Sequence, residues 1–452
     1  MRSEETSEKT LVVGLGISGR AVCALLGSRG AEVSGADLRC RDEFKGALDS
    51  LEEAGCVLSL GPHRIEDFLK ADRIIVSPGI PLDIEPLREA RRRGIEIVGE
   101  MEWSWRQVNL PVIAVTGTNG KTTTTALIGE MLKEAGRSPF VGGNIGTPLS
   151  QWLLSGAYAD IIILEVSSFQ LDTSPTFRPD TGVLLNVTED HLDRYENFEA
   201  YAASKLSIFR RQDRANFAIV NADDPVCLEH IEEIPGQILL FSSSDAAANA
   251  FVSGAQIRVA VPGKGKLDIS LAKTSLKGAH NRENIMAAAL AALSMDVRAE
   301  AIQAAVDGFG GFAHRVEWVR NWKGIDFYDD SKGTNVGAVV KALEGFDRPV
   351  LLLLGGRDKL GSYEPLIAPL TARGKGIFAF GEAGPRIFDE LSGKFPATLS
   401  PDLGSAFRDA VRMAAPGDVV LLSPGCASFD QYEGYAQRGN HFKELAAELG
   451  DE

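Results

Sequence analysis

The chain has 452 residues, 44% of them hydrophobic, and a formal net charge of −15 at pH 7. That length suits about three domains of ordinary size, and the acidic balance excludes a general nucleic-acid or anionic-membrane surface, so any basic residue that holds phosphate must act locally. Cys23, Cys40, Cys56, Cys227 and Cys426 lack metal-ligand spacing, the start lacks the apolar core of a secretory leader and no apolar run is long enough to cross a bilayer, so a cytoplasmic protein with no nucleic-acid or membrane partner is expected.

Short apolar runs alternate with helical patterns along the whole chain, which predicts an α/β protein with parallel sheets covered on both faces. The first block, residues 1–99, opens with Thr10-Leu-Val-Val running into Gly14, Gly16 and Gly19. It continues through strands near 31–36 and 73–76 and ends near 95–98, a small doubly wound unit. Asp37 closes its second strand at the distance where a ribose or base contact falls. The glycine turn therefore suits a dinucleotide, the pyrophosphate of another nucleotide-linked substrate, or plain tight packing of helix on strand.

The second block, residues 100–311, carries the most informative stretch. The apolar strand from Val112 runs into Thr116-Gly117-Thr118-Asn119-Gly120-Lys121-Thr122-Thr123 and then a helical pattern. Glycines let backbone N–H groups converge on phosphate oxygens, the helix adds its positive end, Lys121 adds a point charge and the Thr122 hydroxyl suits magnesium. Only Thr118 and Asn119 separate the two glycines, where the common phosphate loop has four residues, so a tighter loop is expected. Strands near 161–166 and 181–187 end on Glu165 and on Asn186-Val-Thr-Glu-Asp-His191-Leu-Asp. A carboxylate beside a phosphate loop suits magnesium, while a lone histidine such as His191 is more often a hydrogen-bonded structural group than a ligand. Lys205, in Tyr201-Ala-Ala-Ser-Lys-Leu, reads locally as a lysine whose stem lies on apolar neighbours and whose head reaches water. A strand near 218–221 precedes an irregular stretch, 242–277, expected as an antiparallel insertion; a helix over 281–295 then leads to Gly308-Phe-Gly-Gly-Phe, a hinge.

The third block, residues 312–452, places strands near 324–328, 349–354, 376–380 and 418–422 between helical patterns, a second nucleotide-fold-like unit. For Lys332 and Lys359 a solvated surface charge is the lesser of the two local readings, after a ligand role.

Taken together, the stretch from Thr116 to Thr122, Glu165-Val-Ser-Ser-Phe-Gln-Leu, Asn186 to Asp193, His280-Asn281-Arg-Glu-Asn284, His314-Arg315 and Asp329-Asp-Ser-Lys332-Gly-Thr334-Asn335 resemble, in order and spacing over nearly the whole chain, the Mur ligases, ATP-dependent amide-forming enzymes of peptidoglycan precursor synthesis. The opening glycine turn and the closing Leu422-Ser-Pro-Gly-Cys-Ala-Ser428-Phe-Asp-Gln-Tyr resemble the D-glutamate-adding branch. The resemblance implies three domains: a Rossmann-like UDP-binding domain over 1–99, a central ATP-binding phosphate-loop domain with a parallel sheet over 100–311 and a Rossmann-like amino-acid-binding domain over 312–452. It implies ATP and two magnesium ions, with Gly117 to Thr123 on the phosphates, Thr122 and Glu165 on one metal, and His191 with a carbamylated Lys205 on the second. By the same resemblance Asn281, Asn284, Arg315 and Asp330 hold the nucleotide. Ser18, Asp37, Arg39, Ser77, Gly79, Asn144 and His191 hold UDP-N-acetylmuramoyl-L-alanine, and Lys332, Thr334, Lys359, Ser428 and Tyr435 hold D-glutamate.

Leu38, Arg357 and Tyr435 depart from the family pattern and bear on specificity rather than on the phosphate chemistry. A monomer is expected, with closure of the third domain about Gly308–Gly311 on ligand binding. The sequence-level rivals are an NAD oxidoreductase, a non-enzymatic nucleotide switch, and a folate-glutamate ligase, for which a complete N-terminal nucleotide-type domain has no use.

Overall fold

The computed structural model describes residues 8–190, 194–276, 278–358 and 361–450. Five strands, β1 (Lys9–Val13), β2 (Glu32–Asp37), β3 (Val57–Leu60), β4 (Arg73–Val76) and β5 (Glu96–Gly99), form a parallel sheet in the order β3-β2-β1-β4-β5. Leu11, Val12 and Val13 of β1 are buried on both faces, as the unbroken apolar run requires of a central parallel strand. Strand order reverses at β1, which opens a crevice at its carboxyl end, where the first glycine turn sits. The helix Ile17–Ser28 follows at very short range: a Cβ on Gly19 would lie 1.9 Å from the Gly14 carbonyl oxygen.

The second sheet comprises β6 (Val112–Thr116), β7 (Pro139–Gly143), β8 (Ile161–Glu165), β9 (Thr181–Leu184), β10 (Phe217–Asn221), β11 (Gln237–Ser242), β12 (Ala250–Ser253), β13 (Gln256–Val261) and β14 (Gly265–Ser270), in the order β14-β13-β12-β11-β10-β9-β6-β8-β7. It is parallel from β7 through to β12 and antiparallel from β12 to β14. The expected antiparallel stretch is thus present, and it extends the same sheet. Its β13 alternates exposed and buried residues, the pattern of a ribbon with one wet face.

The third sheet holds β15 (Glu317–Trp322), β16 (Ile325–Asp329), β17 (Val350–Gly355), β18 (Gly374–Phe380), β19 (Ala397–Leu399) and β20 (Val419–Leu422), ordered β15-β16-β20-β17-β18-β19. Only β15 runs antiparallel, as a hairpin edge on an otherwise parallel sheet. The first two sheets belong to one compact unit and the third to another, which also takes residues 188–190 and 271–284. Strands β3, β7, β15 and β19 were not anticipated, because each is short or too polar to carry a period-2 signal, while β11, Gln-Ile-Leu-Leu-Phe-Ser, carries an apolar run that the sequence reading passed over.

Candidate active site

Three neighbouring parallel strands set the site. Register pairs Val115 of β6 with Glu165 of β8 and Thr116 with Leu184 of β9, so the phosphate loop, Glu165 and Asn186 emerge along one sheet edge. Gly117 (φ 146°) and Gly120 (φ 86°) occupy backbone conformations that side-chain-bearing residues rarely adopt, which explains glycine at both ends of the turn. Asn186 clamps the loop: its carbonyl accepts from Thr118 N (2.9 Å), its Oδ1 accepts from Asn119 N (2.8 Å) and its Nδ2 donates to Asn119 O (3.1 Å). The loop is therefore shaped by the protein itself. The helix Lys121–Glu134 follows directly, and Lys121 Nζ folds back to donate to Gly117 O and Thr118 O, both at 2.9 Å.

Beside the loop, Thr122 Oγ1 donates to Glu165 Oε2 (2.7 Å) and Asn144 Nδ2 donates to Glu165 Oε1 (3.0 Å). Glu165 is only 2% exposed. A buried carboxylate next to a threonine hydroxyl at a phosphate loop is a hard oxygen donor set that fits magnesium. Lys205 corrects its local reading. Its head does not reach water: the residue is 2% exposed, Nζ donates to Gly117 O at 2.8 Å and lies 4.6 Å from the Tyr201 ring centroid. The helix Phe198–Leu206, capped by the Asn197 side chain, aims it inward, and Tyr201 OH lies 3.2 Å from Thr118 Oγ1. His191 lies outside the described residues, but the irregular segment after β9 that leads toward it is tied by Val187 N donating to Asp224 Oδ2 (2.8 Å). Asp224 also caps the helix Pro225–Glu229, where burial and then the Asp224 charge push the Cys227 thiol well up.

In the first sheet both oxygens of Asp37 are engaged. Leu15 N donates to Oδ2 (2.7 Å), while Arg39 donates from its backbone N and Nε to Oδ1 (3.0 and 2.9 Å) and from Nη2 to Oδ2 (2.8 Å). Burial alone would raise this carboxyl, but the Arg39 and backbone hydrogen bonds outweigh it and hold it at about 2. Ser77 Oγ donates to Gly14 O (2.7 Å), Ser18 is half-buried and Gly79 exposed on the same rim. A cavity of about 250 Å³ opens from Ser77 and Ile80 across to Phe169, Arg194 and Tyr195. These last three escaped the sequence reading. Arg194 stacks on Phe169 and Phe169 on Tyr195, and the available signal was an Arg-Tyr pair immediately after the Asn186–Asp193 motif.

In the other unit, Asn284 Nδ2 donates to Asn281 Oδ1 (3.2 Å), which places both on one helical face, and burial pushes the neighbouring His280 down to about 4. Burial raises Asp330 to about 7 against the hydrogen bond from Ser423 Oγ (2.6 Å), the Arg315 charge and the Val316 N–H. Lys332 Nζ lies 4.8 Å from the Tyr435 ring centroid. Thr334 is half-buried, and Ser428 is buried with its carbonyl accepting from Tyr432 N. Lys359 lies outside the described residues. Sequence reasoning also missed Arg438, which is wholly buried and donates to Ser331 Oγ and to the carbonyls of Ser331, Cys426 and Ala427. It thereby ties the loops after β16 and β20 to the helix Tyr435–Ala447. Locally it is indistinguishable from a solvated helix arginine. His314, Glu317 and Asp329 gather within 4.8 Å, but Lys443 Nζ sits 2.5 Å from Glu317 Oε2 and so supplies the local cation from the chain itself.

These features define an α/β protein with a glycine-bounded phosphate loop flanked by a buried carboxylate and two lysines. Family descriptions match in succession: "Mur ligase MurD-like, N-terminal domain" over 8–99, "Mur ligase middle domain" over 115–292 and "Mur ligase, glutamate ligase domain" over 314–426. The chain belongs to the Mur ligase family. It is 45% identical over 440 residues to the UDP-N-acetylmuramoylalanine--D-glutamate ligase of Desulfosudis oleivorans, covering 97% of this chain and 96% of the relative. It is 43% identical over 436 residues to the protein of the same name from Desulfatibacillum aliphaticivorans, covering 96% and 97%. Among solved structures it resembles a pseudomurein peptide ligase type C from Methanothermus fervidus (TM-score 0.60, 18% identity, 98% and 100% of the two chains). It also resembles the MurF ligase of Thermotoga maritima in complex with ADP (TM-score 0.60, 17% identity, 98% and 95%); both likenesses bear on the fold.

Proposed function

We propose that the chain is an ATP-dependent ligase that joins D-glutamate by an amide bond to UDP-N-acetylmuramoyl-L-alanine in peptidoglycan precursor synthesis. The observation that carries this reading is the hydrogen-bonded turn Gly117–Thr123 held against Glu165, in a chain whose full-length relatives bear that name. Residues 1–99 are assigned to the UDP-linked substrate, 100–311 to ATP and 312–452 to the amino acid.

In the reaction, a carboxylate oxygen of UDP-N-acetylmuramoyl-L-alanine attacks the γ-phosphorus of ATP and ADP leaves, giving an acyl phosphate. The amine of D-glutamate then attacks the acyl carbon, inorganic phosphate leaves with the bonding electrons, and the amine loses a proton. No covalent nucleophile is needed; the task is positioning and neutralisation as anions approach one another. Backbone N–H groups of the loop and the helix start hold the phosphates, and Lys121 swings from its own loop carbonyls onto them. Glu165 and Thr122 are assigned to hold one magnesium, His191 and a carbamylated Lys205 a second; when bound, these ions offset charge on the phosphoryl oxygens. Carbamylation suits Lys205 because it turns a buried cation into an oxygen-donor anion next to the loop. Asn281, Asn284, Arg315 and Asp330 are assigned to the nucleotide, Ser18, Asp37, Arg39, Ser77, Gly79, Asn144 and His191 to the UDP-linked substrate, and Lys332, Thr334, Lys359, Ser428 and Tyr435 to D-glutamate.

The test is an assay with ATP, magnesium, UDP-N-acetylmuramoyl-L-alanine and a panel of D- and L-amino acids, with products weighed by mass spectrometry. The expected result is phosphate release only when both joining partners are present and a single new amide with D-glutamate. Turnover of ATP without them, or a different amide, defeats the proposal.

A further inference from the structure

Arg315 stands between two residues with positive φ that are not glycine, His314 (65°) and Val316 (46°). For the β-branched Val316 this is a marked departure, a strained conformation that persists only where the surroundings over-determine it. The surroundings do so through His314. Its Nδ1 lies 2.6 Å from Asp329 Oδ2, with Asp329 wholly buried, its backbone N donates to Glu317 Oε2 (2.8 Å) and its carbonyl accepts from Lys332 N (3.0 Å). Asp329 Oδ1 in turn accepts from Ser331 N (2.9 Å). The pair has room only because residue 439 lacks a side chain: a Cβ there would lie 2.2 Å from His314 Nδ1 and 2.6 Å from Asp329 Oδ2.

We propose that Asp329 and Gly439 are positioning residues: through the His314 imidazole they hold the left-handed turn that presents Arg315 to the nucleotide phosphates. This rests on the assignment of Arg315 to the nucleotide made above. The two acids in succession both serve the turn, Asp329 through His314 and Asp330 by accepting from Val316 N (3.3 Å) while it faces the Arg315 charge.

The test uses the full chain and measures dissociation constants for a non-hydrolysable ATP analogue and, separately, for UDP-N-acetylmuramoyl-L-alanine. Asp329→Ala is expected to weaken analogue binding about tenfold, the scale of one lost hydrogen bond to a charged group, with the UDP-linked substrate unaffected. Asp329→Asn, which keeps an oxygen acceptor, recovers part of the loss, and Gly439→Ala reproduces it independently. In an Arg315→Ala background the further loss from Asp329→Ala falls below about twofold, since the arginine it positions is gone. An undiminished tenfold loss in that background, or equal weakening of both ligands, overturns the inference and marks a purely structural role. If Arg315→Ala alone leaves analogue binding unchanged, the assignment of Arg315 fails first and the inference with it.

Discussion

Glu165 illustrates how one residue is read twice. In sequence it is the last residue of an apolar run; in the fold it is 2% exposed and held on both oxygens, by Thr122 and Asn144. Glu165→Gln is expected to lower kcat by about 10²-fold, the scale for removing one charge-stabilising group, with partial recovery at high magnesium in a phosphate-release assay; unchanged kcat removes it from the metal set. Lys205→Ala is expected to lose most activity and to regain some with short carboxylic acids that stand in for a carbamate. A ¹³C-bicarbonate signal on the wild-type protein that is absent from the variant checks the same point without turnover. Asp37 carries a pH dependence whose sign follows from its depressed acidity. Its carboxylate contributes stability that is present above about pH 4 and lost as pH falls through about 2. Because Arg39 is 44% exposed, the contribution is about 1–2 kcal/mol rather than the full shift. Asp37→Asn should lower the urea midpoint at pH 7 and approach wild type as pH drops toward about 2.

At the scale of elements, close approach is what the glycines permit. A Cβ on Gly19 would meet the Gly14 carbonyl oxygen at 1.9 Å, which backbone cannot relieve without sliding the helix Ile17–Ser28 off β1. Gly19→Ala is expected to cost about 2–3 kcal/mol as overpacking and to raise KM for the UDP-linked substrate, measured by denaturant unfolding and steady-state kinetics. Strand positions with strong apolar character, such as β6, β8, β17 and β20, were legible because a central parallel strand is buried on both faces and reads as an unbroken apolar run. The edge strand β15 was not: in Glu-Trp-Val-Arg-Asn-Trp each face mixes polar and apolar residues, and only pairing with β16 makes it a strand. The stretch 242–277 was legible as antiparallel but not as a continuation of the central sheet, since joining β12 to β11 depends on a parallel pairing that no local pattern encodes.

For the whole molecule, two compact units, one with two sheets and one with a third, predict that unfolding is not a single all-or-none event. Scanning calorimetry is expected to resolve more than one transition, with the UDP-linked substrate raising one of them selectively by mass action. One transition with equal calorimetric and van't Hoff enthalpies counts against independent units.

The order of motifs, the phosphate loop and the α/β class were determined by the sequence alone, because glycine at positive φ, apolar strand runs and helix-start chemistry are local properties of the chain. Only the tertiary structure decided that Lys205 turns inward to the Gly117 carbonyl, that Arg438 is a buried tie between loops, and that Asp329 and Gly439 grip His314. Each of those depends on residues far apart in the chain meeting in a low-dielectric interior, where a charge must find partners or not be buried at all, and neighbours in sequence carry no record of which distant group will supply them.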